Sequence, residues 1–291
     1  MDSMSEKSKR SVTLPKFGGP RPDFNKPPVT EVVLSLQFDP IQGFDVPHFG
    51  LLWDRYRKNF PDVSTKSPLP PVFETYGSPQ SNQIVRFQLT QDPEIPRCWF
   101  ESVKGTELIQ VQADRFIFNW KSEDGSEPYP RYEKVRSRFE KYFKVFEKFL
   151  RENELGKVKP NQCEVTYVNE IVPGDGWKRL GQIGRVFSFW SGRFSDKFLR
   201  EPNEIYFRFS NQMASAEGEP IGKLHVSADP RYRIGDGAPL IRLVITARGA
   251  PQNQTKKAVI DFFDIGREYI VRGFASLTTK EMHKLWERTD V

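Results

Sequence analysis

The chain has 291 residues, 37% of them hydrophobic and 13% aromatic, which excludes disorder throughout and allows either two domains or one of double size. Its formal charge of +6 is modest for this length, so a nucleic-acid role would have to rest on clustering of the cations and not on their number. No run reaches the roughly 18 consecutive apolar residues that span a bilayer, and the N-terminal MDSMSEKSKRSV has no apolar stretch after its charges; the expectation is a cytoplasmic protein without membrane contact.

Residues 1–25 are polar and basic, carry Gly18, Gly19, Pro20 and Pro22, and follow no period; they predict a flexible leader. From Glu31 to Phe38, Val32, Leu34, Leu36 and Phe38 alternate with Glu31, Ser35 and Gln37, the period of a half-buried strand. Phe49, Leu52, Trp53, Tyr56 and Phe60 then recur at helical spacing until Pro61 ends the pattern. KSPLPP (Lys66–Pro71) reads as a rigid connector or a polyproline segment offered to a partner. Strands are predicted at Gln83–Gln91, Arg97–Val103 and Glu107–Trp120, the last split near Ala113. The helix over Arg131–Arg151 places Tyr132, Val135, Phe139, Phe143, Phe146 and Leu150 on one stripe. Its other face mixes Lys134, Arg138, Lys141, Lys144 and Lys148 with Glu133, Glu140 and Glu147, the pattern of a solvated face with helical ion pairs.

After a link at Leu155–Pro160 the same order returns. Cys163–Ile171 alternates as a strand, Leu180, Ile183, Val186 and Phe187 suggest a short helix, and strands follow at Glu204–Ser210, Gly222–Asp229 and Pro239–Ala247. The last two are joined by the turn-rich DPRYRIGDG. A helix over Lys256–Ser276 carries Gly266 and Gly273 on its apolar side, each costing about 1 kcal/mol relative to alanine unless the helix lies close against a sheet. Thr278 or Thr279 caps a final small helix.

The fold class expected is therefore α+β: two tandem strand, helix, antiparallel strands, helix repeats, each sheet covered by its long helix. The order resembles that of duplicated TATA-binding proteins and of helix-grip folds, an analogy that carries no function. The divisions are residues 1–25, 26–154, 155–277 and 278–291.

Motifs for chemistry are scarce. His48, His225 and His283 fall in three different elements, no CxxC pair or HExxH occurs, and neither a phosphate loop nor a dinucleotide fingerprint is present; neither metal nor cofactor is expected. Cys98 and Cys163 lie far apart in apolar strand patterns, as structural thiols of a reducing compartment do. Two polar sets remain. Strand alternation projects Glu31, Gln37, Arg86, Gln88, Glu164, Glu170, Arg208, His225, Ser227 and Arg242 onto one common sheet face. The DPRYRIGDG connection gathers Asp229, Arg231, Arg233 and Asp236, with Arg248 beyond, as an anion-receiving loop or one stabilised by its own Asp–Arg pairs.

The strings PPVTEVVLSLQFDP, WDRYRKNFP, CEVTYVNEI, LHVSADPRYR, PLIRLVITARG and LTTKEMHKLWER resemble a sporadically distributed family of uncharacterised bacterial proteins with an N-terminal PPVxEVVxxxxF motif. The resemblance implies a bacterial cytoplasmic protein and transfers no site residue; patchy distribution suggests a mobile defence or toxin–antitoxin locus. The function expected is a non-enzymatic binding module that engages a protein partner through Arg86, Glu170, Arg208, His225, Arg231, Arg233, Arg242 and Arg248. One alternative is nucleic-acid binding. The other is an enzyme for a small anionic substrate, with Glu170 or His225 as base and Arg208 or Arg242 as clamp.

Overall fold

A computed structural model of the chain describes residues 13–76, 95–122, 127–174, 176–233 and 235–291. Alternation at Val32, Leu34 and Leu36 makes β2 (Val29–Phe38), and alternation at Cys163, Val165 and Tyr167 makes β7 (Pro160–Ile171); all six side chains are buried on one face. These two strands pair antiparallel, with Leu34 opposite Val165. Around them the chain builds an α+β fold on one continuous antiparallel sheet. The remaining strands are β3 (Asp62–Lys66), β4 (Arg97–Glu101), β5 (Glu107–Gln112), β6 (Arg115–Lys121), β8 (Phe207–Ala214), β9 (Pro220–Tyr232) and β10 (Pro239–Gly249), in the order β3-β4-β5-β6-β2-β7-β10-β9-β8.

Helices α2 (Tyr132–Glu152) and α3 (Lys256–Leu277) cover the apolar face. The α2 stripe is buried as its spacing predicts; Phe116 of β6 lies against Phe139, Phe143 and Phe146, and Phe139 meets Phe263 of α3 at 5.0 Å. The glycines of α3 allow its close approach: a Cβ on Gly266 would stand 3.1 Å from Val165, and one on Gly273 would stand 2.9 Å from Leu224. Helix α1 (Val46–Tyr56) is capped by Asp45, whose amide donates to His48 Nδ1. Helix α4 (Lys280–Leu285) is capped by Thr279.

Several expectations need correcting. Pro22–Phe24, inside the stretch read as leader, form β1 against β11 (Arg288–Asp290), and Phe24 is buried. A three-residue strand shows no period of its own, and its partner lies at the other end of the chain. The strand expected at Glu204–Ser210 runs instead over Phe207–Ala214, and Leu180–Arg185 is a 3-10 helix. Asp229–Tyr232 continue β9, so the β9–β10 turn begins only at Arg233. Strand β3, exposed at all five residues, had no hydrophobic alternation to announce it. The strand expected at Gln83–Gln91 lies outside the described residues. Among the described residues no helix is long and apolar enough to cross a membrane.

Candidate functional site

Side chains that alternate with the core residues form the second face of the sheet, and its two sides differ. On β5, β6 and β2 this face is polar yet buried: Gln110, Gln112, Arg115, Asn119, Ser35 and Gln37 are each at most 8% exposed. Buried polar groups need partners, and Gln37, Gln110, Gln112, Arg115 and Asn119 all have side-chain hydrogen bonds, although the Nε of Arg115 is left without one. Arg97 donates to Gln110, Gln110 to Asn119, and Asn119 to Glu31 at 2.6 Å.

The KSPLPP stretch and the residues after it run across this face as a strap. The Leu69 amide donates to Gln112 at 3.0 Å, Arg115 donates to the Pro70 carbonyl at 3.0 Å, and the Val72 amide donates to Gln37 at 2.9 Å. The prolines are thus held by the protein's own sheet through the backbone groups that proline leaves available. Further on, Glu74 reaches β9 and β10. Its carboxylate lies 2.5 Å from His225 Nε2 and 3.4 Å from Arg248, and Arg248 also donates to Glu164 at 2.6 Å. Burial disfavours the charged form of Glu74, but the His225 hydrogen bond and the charges of His225, Arg248 and Lys223 outweigh it and hold the carboxyl below its ordinary 4.5. Beside this cluster Thr166 and Thr246 share a hydrogen bond of 2.8 Å.

The predicted site residues divide among separate places. His225 and Arg248 meet through Glu74. Glu170 and Arg242 are opposite each other in the β7–β10 ladder, with Asp229 opposite Arg242 on β9. Four residues of strand, about 13 Å, and two strand spacings separate His225 from Glu170, so a joint acid/base site is not assembled. Arg208 stands exposed on edge strand β8, opposite Ser227. Arg231 lies 3.8 Å from Asp229. Arg233 donates through Nε to Asp236 at 3.0 Å, so its loop is stabilised by Asp–Arg pairing. Arg86 and Gln88 lie outside the described residues.

No family model, curated protein or solved structure matches the chain.

The other histidines are structural: His48 completes the α1 cap, and His283 is hydrogen-bonded to Thr278 at 2.9 Å. Among the described residues no group of His, Cys, Asp and Glu could hold a metal ion. On α2, Arg138 pairs with Glu107 and Lys148 with Glu152, so two of the five cations of its basic face are neutralised from within the protein, as is the neighbouring Arg136 by Asp264. Sequence reasoning missed Glu74, which sits in a segment without periodicity, and Arg115, although its alternation with Phe116 and Phe118 marked the polar face.

Proposed function

We propose that this is a non-enzymatic binding module that engages a protein partner through the part of the polar sheet face formed by β8, β9 and β10. What supports this is the asymmetry of the face. On β5, β6 and β2 the polar side chains are buried, and Gln112, Arg115 and Gln37 are tied to the strap, whereas Arg208, Ser210, Lys223, Ser227, Asp229, Arg231 and Arg242 remain exposed or half-buried. The mixture of both signs on this area suits a complementary protein surface, where charge sets partner choice and association rate. The order of strands outward from β2 and β7 also suits the tandem-repeat reading, in which each half contributes one wing of the sheet. Within that reading the resemblance to a sporadically distributed bacterial family makes the partner a product of the same mobile locus.

The test is a charge-reversed double variant, Arg208→Glu with Arg242→Glu. A partner retained by the wild type at low salt should be lost by this variant and kept by a Lys141→Glu, Lys144→Glu control on α2. Equal retention by all three would remove the sheet face from consideration. Nucleic-acid binding is the second reading, since Lys223, Arg208 and Arg231 stand on the open area; it requires affinity that falls steeply as salt rises.

A further inference from the structure

We infer that the cleft where β2 begins and β7 ends binds the carboxylate of a small organic monoanion. Its inner cavity is lined by Tyr167 on the apolar side of the sheet, and only the outer cleft reaches Glu170 and Arg233, so its test does not depend on the partner proposed above.

Hydrogen-bond donors in this cleft outnumber the acceptors that meet them. Tyr129 and Tyr167 share one hydrogen bond between their hydroxyls at 2.9 Å. Each hydroxyl carries one proton, so whichever donates, the other's proton is left without an acceptor among the described residues. Tyr167 is 4% exposed, which puts that spare donor in the interior. Burial pushes the Tyr167 phenol up to about 12 and that of Tyr129 well above 10, so both remain protonated donors at neutral pH. Arg267 supplies a second spare donor: its side chain is 12% exposed, and its buried Nε–H has no partner. Both tyrosines and Arg267 line a cavity of about 40 Å³. Native interiors leave few buried polar groups unpaired, and two unpaired donors on residues that line one cavity are best met by an acceptor group. An ionised carboxylate is such a group.

Size and charge narrow the choice. A water molecule needs roughly 10 to 15 Å³ by this kind of measure, so the cavity accepts a group of about three heavy atoms. Phe24, Val29, Ile270 and Phe274 make up much of the remaining lining, a setting in which a charge must be paired. Arg131, also in the lining, is already matched by Asp23 at 3.0 Å; Arg267 faces the exposed Glu133, 3.4 Å away, is hydrogen-bonded to Tyr167 and lies 5.2 Å from the centre of the Tyr132 ring, while its Nε–H stays unpaired. Glu133 is 60% exposed, so its pairing with Arg267 is screened by solvent, and the unpaired Nε–H leaves that cation one donor for a single negative charge; a phosphate dianion would sit against Asp23.

The cavity opens into a wider cleft of about 600 Å³ that shares Pro27, Val29, Tyr129 and Arg131 with it and adds Pro28, Val172 and Leu240 as an apolar wall. That space takes the organic body of the ligand. Arg131 is one of three non-glycine residues with positive φ among the described residues, at +73°. Backbone strain of this sort gathers at ligand sites, and here it holds the guanidinium on Asp23 and on the Phe24 carbonyl at the cavity wall.

The experiment is calorimetric titration of the full chain with sodium acetate, benzoate and phenylacetate, with benzamide and phenyl phosphate as controls. At least one carboxylate should bind saturably at one site, and benzamide should not. Tyr167→Phe, which keeps the ring and removes the donor, should weaken that binding about 10-fold, in keeping with a hydrogen bond to a charged group. Arg267→Gln should weaken it about 100-fold. The proposal is overturned if no carboxylate binds, which would mean that water alone fills the cavity. Benzamide or phenyl phosphate binding as well as benzoate would overturn it too, as would undiminished binding by both variants. The comparison of acid with amide uses the wild type alone, so it decides the matter even if a variant fails to fold.

Discussion

Replacing Glu74 with alanine tests whether the strap is latched at its far end. The substitution removes one carboxylate from His225 at 2.5 Å and from Arg248 at 3.4 Å, while Arg248 keeps Glu164 at 2.6 Å. Hydrogen bonds to charged groups contribute about 1.5 to 3 kcal/mol. Glu74 is 7% exposed, but His225 and Arg248 are 35% and 23% exposed, so solvent compensates them in part. A loss of about 2 kcal/mol is expected, equivalent to a change of roughly 30-fold in an equilibrium. The reporters are the Leu69 and Val72 amides, which donate to Gln112 and Gln37 in the middle of the strap. Their hydrogen exchange should quicken by up to that factor, while amides of β7 and β10 change only as much as global stability does. Unchanged exchange at Val72, together with an unchanged urea midpoint, would refute the idea that Glu74 holds the strap.

The same carboxyl gives a pH dependence. Because its folded value lies below the unfolded value near 4.5, its stabilising contribution is complete above that value and is lost as pH falls through the lower folded one. The stability difference between wild type and Glu74→Gln, measured by urea unfolding, should therefore shrink as pH is lowered from 5 toward about 3. Gly249→Ala should destabilise by 3 kcal/mol or more, on the order of the larger overpacking costs, because the added Cβ would lie 2.2 Å from the Ile221 carbonyl and 2.9 Å from Gly222 Cα. Its thermal midpoint measures this, and a shift of under a degree would contradict the close β9–β10 approach. Burial pushes the Cys98 thiol up to about 11 and that of Cys163 further, so neither should react with a thiol reagent in the native state, and both should react after denaturation.

Patterns written into one stretch of chain were legible, and pairings between distant stretches were not. The helix over Arg131–Arg151 and the alternation of Val32, Leu34 and Leu36 needed only their own sequence, because amphipathic period follows from burial on one side. The polar face was legible to the same degree: Gln37, Glu164, Glu170, His225 and Arg242 all alternate with core residues. Its covering was not. KSPLPP has no period, and its place on the sheet depends on Gln37, Gln112 and Arg115, none adjacent to it in sequence. Strand β1 is defined only by β11, more than 250 residues later. Residue type marked the charged groups, but the ladder register decided that Glu170 meets Arg242 and that His225 lies rows away.

The buried polar seam under the strap bears on which part of the face is free for a partner. Gln37 accepts from the Val72 amide at 2.9 Å and from Arg115 at 2.5 Å, and donates to Asn161 at 3.0 Å. Arg115, 8% exposed, gives its remaining bond to the Pro70 carbonyl. A cation so placed has lost most of its hydration and is tolerable only while those acceptors stay in position. If the seam serves the fold, removing one member should cost more than removing both charge and acceptor together. Gln37→Leu leaves Arg115 with one fewer acceptor and should destabilise by about 3 kcal/mol or more, whereas adding Arg115→Met to it should recover much of the loss. If instead Arg115 is retained for a partner, Gln37→Leu will unfold at nearly the wild-type urea concentration, and the double variant will be no more stable than the single. The first outcome assigns this half of the face to the strap and leaves β8, β9 and β10 as the surface open to another molecule.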